Sequence, residues 1–199
     1  MAAEAAEKQI IADMLRNWVA WRDAGDWVRF GNLWHDDGYI VTMWFQGPAS
    51  EFIRLSREGW HRPVGIQTAP AGTSVEVAGH RAIAQTWIKF CQRARLHDVL
   101  CDVAGTGHFY DFLEKRAGRW GIVLHLPIYE KDWITPVAVN ETVELRPEIL
   151  SRYPEAYRHL AYWHEVSGYI VKPDMPVLPG PEADAIYRRG KRWLAGDPL

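Results

Sequence analysis

The stretch Trp21-Arg22-Asp23-Ala24-Gly25-Asp26-Trp27 decides the fold of this chain, because a long amphipathic helix ends within it. The apolar residues before it recur at a spacing close to the 3.6-residue repeat of an α-helix: Ile10, Ile11, Met14, Leu15, Trp18 and Trp21. The core-facing side of this helix therefore leads directly to Asp23. A carboxylate in such a place is costly to bury unless it is paired or has a chemical role. Aspartate also caps helices well, so Asp23 or Asp26 suits equally the start of a second, short helix.

The size and charge of the chain limit what it does. Its 199 residues favour one domain with an appended tail, and 48% of them are hydrophobic, enough for a sizeable core. A formal net charge of −2 argues against a protein that binds nucleic acid by electrostatic attraction. No apolar run approaches the roughly 18 residues of a membrane span, and the N-terminus shows no signal peptide. We therefore expect a cytoplasmic protein that has neither nucleic acid nor a membrane as partner.

The unusual feature of the composition is its aromatic content, with eleven tryptophans, eight tyrosines and six phenylalanines. Aromatic side chains supply large contact areas and specific ring geometries. They suit a thick core, and they suit equally the lining of a pocket for a flat, aromatic ligand. Composition leaves both interpretations open.

The patterns along the chain predict an α+β fold, with helices first and a sheet after them. We expect helices over residues 4–23, 26–34 and 50–60, a turn at His35-Asp36-Asp37-Gly38, and a break at Gly47-Pro48. Strands are expected over residues 39–45, 73–77, 82–93, 99–115 and 120–129. The last three strands are long and joined by short turns, which predicts an antiparallel meander.

The composition changes after Asp132, where prolines punctuate the chain and helices are expected over residues 154–166 and 182–194. We therefore divide the chain into a main domain, 1–132, and a C-terminal extension, 133–199, that packs on the main domain or on a neighbouring subunit. The two cysteines, Cys91 and Cys101, are expected to be free thiols. Cys91 has no partner base that the sequence identifies, so we do not place it among the catalytic candidates.

Three segments carry a resemblance to a known family. They are the stretch at 21–27, Val75-Glu76-Val77-Ala78-Gly79-His80-Arg81-Ala82, and Gly107-His108-Phe109-Tyr110-Asp111-Phe112-Leu113-Glu114. Their order and spacing, over residues 5 to 132, resemble the SnoaL-like branch of the nuclear transport factor 2-like superfamily. The resemblance implies a cone, in which a strongly curved antiparallel sheet wraps a pocket that the first helices close. It also implies dimers or trimers, and members that are either cofactor-free enzymes, such as scytalone dehydratase, or purely structural proteins.

The resemblance places Asp23 where the dehydratase and a dehydrochlorinase of this superfamily have an aspartate that orients a catalytic histidine. Such a carboxylate fixes the imidazole tautomer and stabilises the imidazolium. The position of the partner histidine is occupied here by Thr68, which is no base near neutral pH. Either the dyad is absent or another residue supplies the proton transfer.

The candidates for that proton transfer are His108, His125 and Lys89. With Gly107 and Phe109 on the concave face, strand alternation turns His108 outward, although a one-residue bulge reverses this. Lys89 either faces solvent or an interface, or acts as a base that desolvation has activated. His61, after the third helix, is expected near the pocket mouth.

The expected lining is apolar and aromatic, which suits a ring-bearing ligand. The residues assigned to substrate binding are Arg22, Thr42, Trp44, Thr68, Ile88, Phe90 and Phe109, and Asp111 is interpreted as mainly structural. No metal site and no cofactor are expected. The sequence thus favours a cofactor-independent lyase, of dehydratase or deformylating type, or an isomerase that acts on an aromatic or cyclic hydroxylated molecule. The alternative is a non-catalytic binding or assembly subunit, and a homo-oligomer, trimer or dimer, is expected in both cases.

Overall fold

A computed structural model describes residues 2–59 and 66–199 of the chain. His61 and Trp60, the predicted end of the third helix, lie outside the described residues. The helices and strands, in chain order, are α1 (Ala2–Asp23), α2 (Trp27–Gly31), β1 (Trp34–Val41), β2 (Gln46–Pro48), α3 (Ala49–Gly59), β3 (Ile66–Ala78), β4 (Arg81–Leu96), β5 (Val99–Arg116), β6 (Arg119–Pro136), α4 (Pro147–Leu150), α5 (Arg158–Val166) and α6 (Pro181–Ala195). The predicted α+β class is confirmed. In the described parts of the chain, no helix combines the length and apolar character needed to cross a membrane.

One curved, open sheet of six strands forms the body of the molecule, in the order β2-β1-β6-β5-β4-β3. Neighbouring strands are antiparallel, as predicted, except that β1 runs parallel to β6. The register shifts at three places in the meander, between Pro70 and Gly72, between Thr106 and Gly107, and between Phe112 and Leu113. Such bulges bend strands and increase their twist, which is how long strands curve into a cone.

The first strand begins earlier than its sequence predicts. Helix α2 ends at Gly31, and the predicted turn His35–Gly38 belongs to β1. The reason is tertiary: the Ile122 amide donates to the Leu33 carbonyl, and a bulge absorbs the extra residues. The Gly47-Pro48 break was also wrong, because both residues form β2. A proline is tolerated there because β2 is an edge strand.

Strands β3 and β6 are longer than predicted. Strand β3 starts at Ile66 rather than near Thr73, and β6 continues to Pro136 instead of ending near Tyr129. Strand β6 therefore crosses residue 132, where we divided the chain, and the division stays a prediction. Both extra lengths are held by pairing with a long neighbour, which local patterns do not reveal.

Helices cover both faces of the sheet. Helix α1 packs on one half of the concave face through Ile11, Leu15 and Trp18, and α5 covers the other half through Leu160 and Ala161. Helix α6 lies on the convex face, where Ala183 and Trp193 contact a cluster that contains Phe112 and Ile128. The C-terminal segment thus contributes to the core on both sides of the sheet.

Candidate functional site

The carboxylate of Asp23 lies at the end of α1 and is held by its own neighbour. Arg22 donates to Asp23 Oδ1 from Nε at 2.8 Å and from Nη2 at 2.5 Å. The same Nη2 donates to Thr68 Oγ1 at 2.9 Å, and the Thr68 amide lies 3.5 Å from Asp23 Oδ2. Asp26 is the residue that caps α2, since its Oδ1 accepts from the Arg29 amide at 3.1 Å. Asp23 therefore does not cap a helix but ties the end of α1 to β3.

The cluster of Arg22, Asp23 and Thr68 is a partly buried ion pair. The two charged side chains are 15% and 30% exposed. Burial lowers the pKa of Arg22, and the adjacent Asp23 charge opposes that shift. Among the described residues no histidine hydrogen-bonds to Asp23, so none of them forms with this carboxylate the aspartate–histidine arrangement implied by the resemblance.

A histidine–aspartate pair does exist, on the two central strands of the sheet. Asp111 in β5 and His125 in β6 are opposite each other in the sheet, and both side chains project to the concave face. His125 Nδ1 and Asp111 Oδ1 are 2.7 Å apart, and the side chains are only 2% and 1% exposed. A carboxylate accepts hydrogen bonds, so the proton is assigned to Nδ1. This assignment leaves Nε2 with its lone pair when the ring is neutral.

Aromatic rings enclose this pair. Trp18 stacks on the His125 ring at 4.7 Å with an interplanar angle of 17°, Phe109 lies 4.5 Å away, and Trp34 meets it edge-on at 6.1 Å. The Trp18 ring also carries the Arg22 guanidinium, 5.0 Å from the ring centroid. Trp18 thus contacts both the polar Arg22 cluster and the histidine. The indole N–H groups of Trp18 and Trp34 are buried and have no acceptor among the described residues.

The other two predicted proton-transfer residues lie on the convex face. His108 is opposite the exposed Trp87 of β4, and its Nδ1 lies 3.2 Å from Glu130 Oε1. Lys89 is exposed, with its ammonium group 5.7 Å from the centroid of Trp133. The sheet separates both residues from His125. Strand alternation therefore holds for His108 despite the register shift between Thr106 and Gly107.

The predicted lining residues other than Arg22 and Thr68 are distributed over three places. Phe109 contacts His125, as described. Ile88 and Phe90 pack in the cluster under α5. The hydroxyl of Thr42 donates to the Phe45 carbonyl within a tight turn, and Trp44 stacks near Phe52 and Tyr169 at 5.6 and 6.1 Å.

Two cavities open on the outer surface rather than at His125. One, of about 540 Å³, lies between α1 and the β5–β6 hairpin and is lined by side chains that include Ile10, Trp21 and Trp120. The other, of about 470 Å³, lies between α2 and α3. Neither is lined by Asp23 or His125.

The described part of the chain groups no three His, Cys, Asp or Glu side chains in a way that would hold a metal ion. Both cysteines are free, and burial raises the pKa of each thiol. For Cys91 the nearby Asp102 raises it further. A raised pKa leaves little thiolate at neutral pH, which makes Cys91 a poor nucleophile.

The sequence did not specify the pairing of Asp111 with His125. The β5–β6 hairpin turns so that Arg116 pairs with Arg119, and in that register Asp111 would be opposite Leu124. The register shift between Phe112 and Leu113 brings Asp111 opposite His125 instead. Turn position and strand alternation do not predict such a bulge, and Asp111 was therefore interpreted as mainly structural.

The comparisons with known proteins agree with this architecture. A family model for a SnoaL-like domain matches residues 3–124. A PEP2-like protein of Fusarium vanettenii is 31% identical over 97% of this chain and 88% of its own length, and pea pathogenicity protein 2 of the same fungus is 30% identical over 98% and 88%.

Two solved structures show the fold at low sequence identity. A candidate scytalone dehydratase of Novosphingobium aromaticivorans gives a TM-score of 0.53 at 14% identity, covering 72% of this chain and 96% of that one. The association domain of CaMKII from C. elegans gives 0.52 at 17% identity, covering 64% and 98%. The predicted family is confirmed: the chain belongs to the SnoaL-like domain family and has the NTF2-like fold.

Proposed function

We propose that this protein is a cofactor-independent acid/base enzyme, a lyase or isomerase, that acts on an aromatic or cyclic hydroxylated small molecule. The observation that carries the proposal is the buried His125–Asp111 pair within a ring of aromatic side chains. A buried histidine oriented by a carboxylate is the arrangement that proton transfer needs.

In this proposal His125 Nε2 is the general base and Asp111 is a positioning residue. Asp111 holds the proton on Nδ1, so that Nε2 receives a proton from a substrate C–H or O–H group. The imidazolium that results is stabilised by the carboxylate and returns the proton to the leaving hydroxyl, which departs as water, or to another carbon of the same molecule in an isomerisation. No electron acceptor is needed for either outcome.

The surroundings of the pair support an aromatic or cyclic substrate. Trp18, Trp34 and Phe109 present ring faces and edges next to His125. Arg22, whose guanidinium lies over the Trp18 ring, supplies a positive charge within the same region, and the two unpaired indole donors suit an oxygen acceptor. Because His125 is 2% exposed, a substrate reaches Nε2 only when one of these rings moves.

Isotope exchange in D₂O tests the proposal most directly. The wild-type protein is incubated with a panel of hydroxylated aromatic and cyclic ketones and alcohols, and mass spectrometry follows deuterium uptake and loss of water or formaldehyde. We expect Asp111→Asn to lower the exchange rate by roughly 10²–10⁴-fold, because the histidine loses its orientation. Asp102→Asn is the matched control, because this carboxylate is half-buried in an ion pair with Arg93 on the outer face. Turnover that survives both His125→Gln and Asp111→Asn contradicts the assignment.

The role first predicted for Asp23 is tested in the same assay. Asp23→Asn removes the charge that Arg22 and Thr68 contact. If Asp23 participates only through Arg22, this substitution changes the Michaelis constant more than the turnover number. A loss of turnover as large as that of Asp111→Asn moves the base to Asp23.

The second function is a non-catalytic binding or assembly subunit. Two observations favour it: the complete enclosure of His125 and the internal neutralisation of Asp23 by Arg22. In that case ring-bearing ligands bind with measurable affinity to the wild type, but no compound of the panel exchanges deuterium in its presence.

A further inference from the structure

The outer edge of β3 is the most open element of the sheet. Strand β3 is the last strand and pairs with β4 along twelve residue pairs on one side. Among residues 2–59 and 66–199 no strand pairs with its other side. An unpaired edge offers its N–H and C=O groups to any strand that approaches it.

The first half of this edge is blocked. The Thr68 amide is directed at the Asp23 carboxylate, 3.5 Å away, and so points away from β4. Pro70 has no N–H to donate, and the register shift after it distorts the strand. These are the devices by which proteins prevent a sheet edge from pairing.

The second half, Thr73–Ala78, has none of these devices. It contains neither proline nor a basic residue, and Glu76 is its one charge. The side chains of Val75 and Val77 pack against the cluster under α1, whereas Ser74 and Glu76 are exposed on the other face. The segment is therefore a strand of high β-propensity with an open edge.

We propose that Thr73–Ala78 pairs antiparallel with the same segment of a second copy of this chain, which joins two sheets of six strands into one. A two-fold axis through such a pair relates identical surfaces. The convex face, the other large surface of the sheet, already carries α6.

Charge selects the register of this pairing. Opposite residues of an antiparallel pair have their side chains on the same face of the sheet. One residue must therefore lie opposite its own copy, and the two-fold axis passes midway between them. An axis at Glu76 places the two carboxylates opposite each other, which is destabilising. An axis at Val75 sets Ser74 opposite Glu76, Thr73 opposite Val77 and Gly72 opposite Ala78. This is the longest overlap that excludes both Pro70 and the register shift after it. The pairing is therefore centred on Val75.

A segment this short makes a weak, concentration-dependent dimer. Six or seven paired residues bury less surface than the roughly 1,200–2,000 Å² of stable interfaces. We expect sedimentation velocity to show a monomer–dimer equilibrium that shifts with protein concentration.

Disulfide trapping tests the register, in a Cys91→Ser background. Residues opposite each other have Cβ atoms about 4.5–5.5 Å apart, near the disulfide range, whereas diagonal neighbours are about 7–8 Å apart. The double variant Ser74→Cys/Glu76→Cys is expected to form a covalent dimer on mild oxidation, and each single variant is expected not to. Equal cross-linking by a single variant, or none by the double variant, overturns the proposal.

Charge repulsion supplies a second measurement. In the Ser74→Glu variant the new carboxylate of each copy lies opposite Glu76 of the other copy. These two like-charged pairs repel, so we expect the dimer dissociation constant to rise roughly tenfold at low salt. Ser74→Gln is the matched control and is expected to leave it within about twofold. A wild-type chain that sediments as a monomer at every concentration, or an equal effect of both substitutions, also overturns the proposal.

Discussion

Replacing Gly190 by alanine tests how α6 docks on the sheet. Gly190 is buried on the side of α6 that faces β5. A Cβ atom built at this position overlaps the Tyr110 hydroxyl oxygen and lies 3.0 Å from Tyr110 Cζ and 3.3 Å from Ile83 Cδ1. The Tyr110 ring cannot move aside freely, because it packs between Phe112 and Tyr187 at 5.4 and 5.5 Å. The helix itself must therefore retreat from the sheet.

The expected magnitude follows from two opposing effects. Overpacking of a buried contact costs about 1–3 kcal/mol, and the rigid ring places this case near the upper value. Alanine in place of glycine stabilises a helix by about 1 kcal/mol. We therefore expect Gly190→Ala to lower the free energy of unfolding by about 2 kcal/mol. For a chain of this length that is a fall in Tm of about 4–8 °C.

Urea denaturation, followed by near-ultraviolet circular dichroism, measures this change. Tyr110→Phe removes the oxygen atom that the new methyl group would overlap. In that background we expect Gly190→Ala to be neutral or to stabilise by up to about 1 kcal/mol, so the double-mutant cycle shows a coupling of about 2–3 kcal/mol. Gly31→Ala is the control, because its new methyl group makes only an ordinary contact, 3.8 Å from Ile53 Cδ1. If Gly190→Ala stabilises the otherwise wild-type protein, α6 does not dock with Gly190 against Tyr110, and the reasoning is refuted.

Three further predictions concern groups outside the proposed site. Burial lowers the pKa of His164 from its ordinary 6.5 to about 4. The neutral ring therefore leaves the free energy of unfolding at its full value above pH 6.5, and protonation lowers this free energy as pH falls toward 4. Between pH 7 and pH 4 the free energy of unfolding of the wild type should therefore fall by about 3 kcal/mol more than that of His164→Gln. Asp132→Asn weakens the bonds that its carboxylate accepts from His159 and from the Leu160 amide, at 2.8 and 2.6 Å, so α5 should become sensitive to limited proteolysis while Asp102→Asn stays resistant. Because the pKa of Cys91 is raised, its labelling by a thiol reagent should accelerate about tenfold per pH unit from pH 7 to 9, and a flat profile contradicts this.

The helices and the meander followed from local patterns. The 3.6-residue repeat before Asp23 predicted α1, and the three runs after residue 82 predicted β4, β5 and β6. These patterns predict structure because each element buries one face, so apolar residues recur at every turn of a helix or at every second residue of a strand. Segments without such a repeat were misread: His35–Gly38 carries turn residues but is held as a strand by the backbone of β6.

The sequence likewise predicted some features of the candidate site and not others. Asp23 and Thr68 lie together, and Phe109 lies on the concave face, as the resemblance implied, and alternation correctly turned His108 outward. Which histidine met a carboxylate depended on hairpin register, and Asp111 was consequently set aside. The role of Arg22 as the partner of Asp23 depended on side-chain geometry that adjacent residues in a sequence do not specify.

The sequence by itself determined the class of the fold, because helical periodicity and turns act over short distances. Its resemblance to known members indicated the family and the inward-facing residues of the long strands. Only the tertiary structure decided that Asp111 holds His125, that Arg22 neutralises Asp23, and that α6 covers the convex face. Each of these contacts forms between side chains in a buried or partly buried region. Whether a buried charge finds a partner there depends on the packing of the whole sheet, which local propensity does not encode.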